Sequence, residues 1–281
     1  MVGCPARADT CRAPTRVGCR MESPTIDSGA LMPLTPAPNG MPGAVFRMAR
    51  PSTVDLITAE LRSAIFSGAL PVGSPLGEVD IAAKLGVSRG PLREAAQRLV
   101  QEGALTALPG RGLRVSVIPV DGIADLYTER RAVECEAVRL IVRNRLPAAE
   151  QLESALAELR QASTRADALG IGDADIAFHQ ALVNAAQSPR LSRAMMTLAL
   201  QTRIASFSAD EGYAVPASVS PTYQALIDAL SHHDAPGALA ALDEQFDDAV
   251  ARLTGRRDVE TVETGAILAP PTLSRIDVAD A

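Results

Sequence analysis

The fold of this chain is decided by residues Asp80 to Arg98, which read DIAAKLGVSRGPLREAAQR. Apolar residues recur at helical spacing on both sides of Gly86, and a glycine there predicts the end of a first helix because it accepts a positive φ. Ser88 predicts the N-cap of a second helix, and Pro91 falls in its first turn, where a missing N–H costs nothing. The stretch therefore predicts two helices joined by a tight turn.

Polar and basic side chains gather at the start of the second predicted helix. Its apolar residues take the buried face, which leaves Ser88, Arg89, Gly90 and Arg93 on the opposite face. Two arginines and a hydroxyl at the tip of a short helix suit insertion into the major groove of DNA, as in a helix-turn-helix.

The flanking segments extend this unit. Residues 54–67 read as an amphipathic helix, and residues 105–118 read as two β-prone strands joined by the turn 109–112. An arginine between two glycines in such a turn is typical of a wing, because glycine lets the backbone approach a phosphate or enter the minor groove. The order helix, helix, helix, hairpin predicts a winged helix over residues 48–119.

These motifs resemble the DNA-binding domain of the GntR family of bacterial transcription regulators. The resemblance runs from Ile65 to Val115 and rests on Gly68-Ala69-Leu70-Pro71-Val72-Gly73, Ser88-Arg89-Gly90-Pro91-Leu92-Arg93-Glu94-Ala95, Glu102-Gly103 and Arg111-Gly112. By position, it implies DNA contacts from the recognition helix and the wing, at Ser88, Arg89, Gly90, Arg93, Arg111 and Gly112. A threonine is common in the family where Gly90 stands, so only a backbone contact is expected there.

Composition agrees with a DNA-binding protein of two domains. The chain has 281 residues, is 47% hydrophobic, lacks tryptophan and has a formal net charge of −6. So little positive charge predicts dependence on base and shape readout and weak binding to random DNA. Four cysteines without partner histidines predict free thiols in a reducing cytoplasm, and no apolar run is long enough to span a membrane.

Both ends of the chain are predicted to be tails. Residues 1–47 are rich in proline and glycine without sustained periodicity and read as disordered. The chain offers later start positions at Met21, Met32, Met41 and Met48. Our hypothesis is that translation begins at one of them, so that the tail is not translated. Residues 257–281 read as a second, flexible tail.

Residues 121–256 repeat apolar positions at helical period and contain no segment that predicts a strand. Breakers divide them into helices over 122–145, 148–169, 172–186, 189–208, 221–231 and 236–253. Short connections between them predict an antiparallel bundle. The fold class expected for the whole chain is mainly α, with an N-terminal winged helix-turn-helix followed by an all-α antiparallel bundle.

The second half resembles the FCD effector domain found in the FadR subfamily of GntR regulators. The resemblance rests on the runs 130–134 and 175–179 and on the final pair of helices. It implies a pocket where one Asp and three His hold a divalent metal that helps bind a carboxylate effector. Asp175 and His179 match the first two ligands on one helix face. The other two positions fall on Tyr223 and Gln245, which are poor ligands for Zn²⁺.

We therefore expect a pocket without a metal cofactor, with divalent metal binding as the alternative. In this interpretation Tyr223 and Gln245 hydrogen-bond the effector directly, and Arg130 and Arg203 supply positive charge to its carboxylate. Two simpler interpretations stay open. Asp175 and His179 also fit a surface ion pair, worth roughly a few tenths of a kcal/mol, and Arg203 also fits an ordinary surface residue.

The function predicted from these parts is a homodimeric DNA-binding transcription regulator, expected to be a repressor. A small organic acid bound in the bundle changes the spacing of two winged helices on an operator. One alternative is a constitutive dimeric DNA-binding protein with a ligand-free bundle. A metal-dependent enzyme built on Asp175 and His179 is the other, but the sequence offers no nucleophile–base constellation or phosphate loop.

Overall fold

The computed structural model of this protein describes residues 51–165, 167–208, 213–216, 218–255 and 264–268, which all belong to one compact unit. The predicted tail over 1–47 lies outside the described residues. None of the described helices is both long and apolar enough to cross a membrane.

The first part of the described chain is a winged helix, as predicted. Three helices enclose a core against a three-stranded antiparallel sheet of order β1-β3-β2. In chain order these elements are α1 (Thr53–Phe66), β1 (Pro75–Leu76), α2 (Glu78–Leu85), α3 (Arg89–Gln101), β2 (Leu105–Leu108) and β3 (Gly112–Val115). The sequence did not predict β1, because two residues are too few for an alternating pattern.

Local signals place the helix ends. The Ser52 hydroxyl accepts a hydrogen bond from the Asp55 amide at 3.1 Å, and the Asp55 carboxylate accepts one from the Ser52 amide at 2.9 Å, which closes a capping box at the start of α1. Gly86 ends α2 with a left-handed backbone at φ 63°. Ser88 occupies the N-cap of α3, as predicted, but its hydroxyl makes no capping hydrogen bond.

The core of the winged helix includes two residues from the second half of the chain. The buried face of α3, with Leu92 and Leu99, packs on α1. Leu200 and Ile204, 1% and 0% exposed, belong to this same cluster. One helix of the bundle is therefore shared between the two cores.

The bundle contains the six predicted helices. They are α4 (Val120–Asn144), α5 (Ala149–Thr164), α6 (Ala168–Ala185), α7 (Pro189–Ser208), α8 (Thr222–Ser231) and α9 (Ala235–Leu253). Helix α4 packs against α6, α7 and α9, while α5 packs against α6 and α8. This arrangement brings α4, α6, α8 and α9 around a common interior.

Two features of this half differ from the predictions. Helix α6 begins at Ala168 and contains Gly172, where the sequence predicted a helix start. The second difference is an antiparallel pair formed by β4 (Tyr213–Pro216) and β5 (Thr264–Leu268). The prediction of no strand was wrong because four or five residues carry little pattern, and the two strands are separated in sequence by α8 and α9. Strand β5 lies within the segment predicted to be a flexible tail.

Candidate functional site

The start of α3 presents the predicted DNA-contacting residues to solvent. Ser88, Arg89 and Gly90 are exposed, and one turn later the Arg93 side chain is 65% exposed. The Ser88 hydroxyl makes no capping hydrogen bond. The geometry at this helix tip suits entry into a DNA groove.

Arg93 is positioned by an acidic residue of the preceding helix. Its Nε donates to Glu78 Oε2 at 2.7 Å. An exposed pair of this kind contributes roughly 0–1 kcal/mol to stability, so another anionic group can displace Glu78 from Arg93 at little cost. Arg98, by contrast, is paired with both Asp55 and Glu94, at 2.7 and 2.9 Å.

The wing places Arg111 at the tip of a tight turn between β2 and β3. Gly110 and Gly112 have φ values of 70° and 80°, a region that side-chain-bearing residues rarely adopt. Arg111 is exposed, and its amide donates to the Leu108 carbonyl at 3.0 Å. The two glycines are therefore required by the backbone of the turn that projects Arg111.

A cavity of about 470 Å³ lies inside the bundle. Five of the six residues predicted to bind an effector line it: Arg130 from α4, Asp175 and His179 from α6, Tyr223 from α8 and Gln245 from α9. Apolar side chains complete the walls, among them Leu159, Ile171, Val219, Phe246 and Ala249. The volume and the mixture of apolar walls with a few polar groups are typical of a small-molecule site.

A buried carboxylate organises one wall of the cavity. Arg130 Nε donates to Glu134 Oε1 at 2.8 Å, and a 2.6 Å hydrogen bond joins His179 Nδ1 to Glu134 Oε2. Burial alone would raise the pKa of Glu134, but the Arg130 guanidinium and the His179 imidazole outweigh it and hold the pKa below its usual value. Glu134 was not predicted as a site residue, although its i,i+4 spacing from Arg130 is a signal that could have identified it.

Asp175 and Tyr223 are in direct contact across the cavity. The Tyr223 hydroxyl donates to Asp175 Oδ1, and His179 Nε2 lies 3.7 Å from the same oxygen. His179 is 3% exposed and stacks on Phe246 with ring centroids 5.8 Å apart. Since His179 is buried and Asp175 is half-buried, the two side chains belong to the cavity wall and do not make an ion pair on the protein surface.

Three buried polar atoms of the cavity walls lack hydrogen-bond partners among the described residues. They are Arg130 Nη2 and both amide atoms of Gln245, Nε2 and Oε1. Arg130 is 2% exposed and Gln245 is 7% exposed. A buried polar group without a partner costs about 1–3 kcal/mol, so a ligand that pairs with these atoms gains this free energy on binding.

The structure places Arg203 outside this cavity. Its side chain is fully buried, forms an ion pair with Asp173, and stacks over Phe66 of α1 at 4.7 Å and over Phe207 at 5.5 Å. Burial raises the pKa of Asp173 although Arg203 opposes the shift. Neither the predicted effector contact nor a surface position matches this environment, because Arg203 lies behind Gly172 and faces the winged helix.

The cavity does not fit a divalent metal. At the four positions where the family resemblance expects metal ligands, only Asp175 and His179 are usual ligands, and Asp175 already accepts a hydrogen bond from Tyr223. The remaining positions supply a phenol and an amide, Tyr223 and Gln245. Across the described part of the chain, no group of three or more His, Cys, Asp or Glu residues is arranged to hold a metal ion.

Comparison with known proteins identifies two families in one chain. Residues 53–115 match the model of the bacterial regulatory proteins of the gntR family. Residues 125–248 match the model of the FCD domain. The first range covers the winged helix, and the second covers the helices that enclose the cavity.

Relatives and solved structures agree with this division. The chain is 29% identical over 191 residues to the "Probable D-xylose utilization operon transcriptional repressor" of Paenarthrobacter nicotinovorans, covering 67% of this chain and 83% of that protein. It is 30% identical over 152 residues to the HTH-type transcriptional regulator McbR of Escherichia coli, covering 54% of this chain and 68% of McbR. A GntR-type transcriptional regulator structure from Rhodococcus sp. RHA1 matches with a TM-score of 0.62 and 29% identity, over 73% of this chain and 99% of that one.

Proposed function

This chain belongs to the GntR family of bacterial regulatory proteins, as an HTH-type transcriptional regulator with an FCD domain, and from that premise we propose that it is a homodimeric repressor whose operator binding is modulated by a small carboxylate metabolite. The combination of domains is consistent with the FadR subfamily, and the family consists of regulators and not of enzymes. Names of relatives support repression, since the P. nicotinovorans protein and RspR of E. coli are both described as repressors.

One observation carries the effector proposal: a buried guanidinium with an unpartnered nitrogen lines an internal cavity. Arg130 Nη2 has no hydrogen-bond partner among the described residues, while Nε is held by Glu134. A guanidinium fixed in this way presents a directed donor, and arginine pairs with carboxylates through charge-assisted bonds. Tyr223 and Gln245 stand at the metal positions of the family resemblance, so the effector binds side chains directly in a metal-free site.

Helix α7 offers a route from the cavity to the DNA-binding surface. Gly172 of the cavity wall adjoins Arg203, which stacks on Phe66 of the winged helix. Two residues before Arg203 on α7, Gln201 Nε2 donates to the Glu102 carbonyl at the end of the recognition helix, at 2.9 Å. A shift of α6 on effector binding would therefore move the winged helix, and in a dimer it would change the separation of two half-sites.

The proposal is tested by measuring operator affinity and thermal stability in parallel. Duplex DNA from the region upstream of the gene is titrated with protein by fluorescence anisotropy, with and without each member of a panel of small carboxylic acids. Chelator-treated protein is used, and Zn²⁺ is added in a separate arm. We expect at least one acid to stabilise the protein and to weaken operator binding without metal. Operator binding that no acid changes would favour the constitutive alternative and reject the effector proposal.

Gln245→Met gives a variant that separates the effector site from stability. Methionine keeps the length of the side chain and removes two buried polar atoms that lack partners, which is close to neutral or stabilising for the fold. We expect the variant to bind the operator normally and to lose the response to the acid. A normal acid response in this variant would place the effector elsewhere.

A further inference from the structure

The walls of the cavity carry more acidic than basic side chains. A site that binds only a carboxylate gains nothing from additional acidic side chains. Arg252 is paired with Asp248, and Asp247 is paired with Arg131 from outside the cavity. The charge of Arg130 is opposed by Glu134. Since its arginines are already matched by carboxylates, the cavity has no surplus positive charge for an anionic ligand.

Two further carboxylates of the cavity have no lysine or arginine partner among the described residues. Asp175 and Glu244 both line it, and neither makes an ion pair with a lysine or arginine in the part of the chain that the structure describes. The Asp175 side chain is 31% exposed and lines the same cavity as the unpartnered polar atoms, while Glu244 is exposed. A positively charged group of a ligand would be stabilised by these two carboxylates.

The unpartnered atoms require a ligand that both accepts and donates hydrogen bonds. Arg130 Nη2 and Gln245 Nε2 are donors, so they need acceptors, whereas Gln245 Oε1 needs a donor. A monocarboxylate or dicarboxylate satisfies only the first two atoms. A hydroxy acid satisfies all three but leaves the negative charge of Asp175 unopposed.

We propose that the effector is an amino-acid-like zwitterion, which carries a carboxylate, an ammonium group and an apolar remainder. This inference rests on the effector site proposed above and specifies its ligand class. The carboxylate pairs with Arg130 and the Gln245 amide nitrogen, and the ammonium group donates to Asp175 and the Gln245 amide oxygen. The apolar remainder packs against Leu159, Ile171 and Phe246 in a cavity of about 470 Å³.

The test uses matched sets of ligands that differ by one group. For each of leucine, methionine and phenylalanine, the set contains the L- and D-amino acid, the 2-hydroxy acid, the acid without a 2-substituent, and the amine without a carboxylate. Binding to the full-length protein is measured by isothermal titration calorimetry. We expect an amino acid to bind at least about tenfold tighter than every matched analogue, since hydrogen bonds to charged groups are lost in each analogue.

The outcomes separate this inference from the proposed function. If a hydroxy acid or an unsubstituted acid binds as tightly as the matched amino acid, the zwitterion inference is overturned while the carboxylate effector stands. If no carboxylate of any kind binds or changes operator affinity, both fail. If an amine binds as well as the amino acid, the role of Arg130 is refuted.

Asp175→Asn provides the second test, because asparagine can still accept the Tyr223 hydrogen bond through its side-chain oxygen. We expect the variant to lose affinity for the amino acid by about tenfold or more, with no change for the unsubstituted acid. Glu158→Gln, which removes an exposed carboxylate on α5 outside the cavity, is the matched control and should change neither affinity. Equal losses for both ligands in Asp175→Asn would show a structural role for Asp175 and would overturn its assignment to the ammonium group.

Discussion

The close approach of Arg203 to Gly172 predicts that an alanine at position 172 disturbs the packing of the protein. A Cβ atom at Gly172 would lie 2.8 Å from Arg203 Nη1 and 3.5 Å from Cζ. Arg203 has little room to retreat, because it is fully buried and stacked on Phe66 and Phe207. Gly172→Ala should therefore force a displacement inside the core that joins the cavity to the winged helix.

The same helix supplies a matched control in Gly170→Ala. A Cβ there would approach Asp167 Oδ2 to 2.5 Å, but Asp167 is exposed and its side chain can rotate into solvent. Alanine in place of glycine stabilises a helix by about 1 kcal/mol at either position, so this contribution cancels when the two variants are compared. What remains is the cost of overpacking at Gly172, about 1–3 kcal/mol.

The measurement is urea unfolding of both variants, followed by circular dichroism. We expect Gly170→Ala to unfold at higher urea than wild type and Gly172→Ala to be less stable than Gly170→Ala by about 1–3 kcal/mol. Because Arg203 contacts Phe66, Gly172→Ala should also alter operator affinity, whereas Gly170→Ala should not. Equal stability of the two alanine variants would refute the argument that Arg203 is fixed behind Gly172.

Three further predictions concern the DNA-binding surface and the cavity. Arg93→Ala should weaken specific operator binding by about 1–3 kcal/mol in anisotropy titrations, with only a small change in melting temperature because its ion pair with Glu78 is exposed. Arg143→Ala, in the last turn of α4, should leave operator binding unchanged. Wild-type affinity for Arg93→Ala would remove this residue from the interface. Tyr223→His combined with Gln245→His should create a Zn²⁺ site detectable by calorimetry, since it restores the donor set that the family resemblance implies, and no uptake of Zn²⁺ would show that these positions do not converge as ligands. Glu134→Gln should cost about 3–5 kcal/mol, because it leaves Arg130 buried without its counter-charge. The folded-state pKa of Glu134 lies below its unfolded value of about 4.5, so its stabilisation is present above that pH and is lost as the pH falls through the folded value. The free energy of unfolding of this variant should therefore fall less steeply with decreasing pH than that of the wild type. An equally steep fall would contradict the lowered pKa of Glu134.

Several parts of the molecule could be predicted from the sequence because their causes are local. Gly86 ends α2 in a left-handed conformation, and Ser88 begins α3 at the predicted position. Each of these depends on a few neighbouring residues, whose backbone preferences act wherever the segment is placed. The apolar spacing of the bundle helices is equally local, and it predicted all six of them.

Four residues that line the cavity could also be identified before the fold was known. Asp175 and His179 share a helix face by spacing alone, and the family resemblance pointed to Tyr223 and Gln245 on two other helices. All four do line one cavity. What they do there depends on contacts between helices, and the hydrogen bond from Tyr223 to Asp175 is an example.

The sequence alone determined the helices, the helix-turn-helix and the wing, because each follows from backbone preference or side-chain periodicity within one segment. Five residues that line the cavity were identified through the family resemblance. Tertiary structure decided the rest. Only packing placed Glu134 between Arg130 and His179 and placed Arg203 outside the cavity, behind Gly172. Packing also paired β4 with β5, which are separated in sequence by α8 and α9. These outcomes depend on which groups from distant segments meet in a low-dielectric interior, and there the energy of a charge is set by its partners and not by its neighbours in the chain.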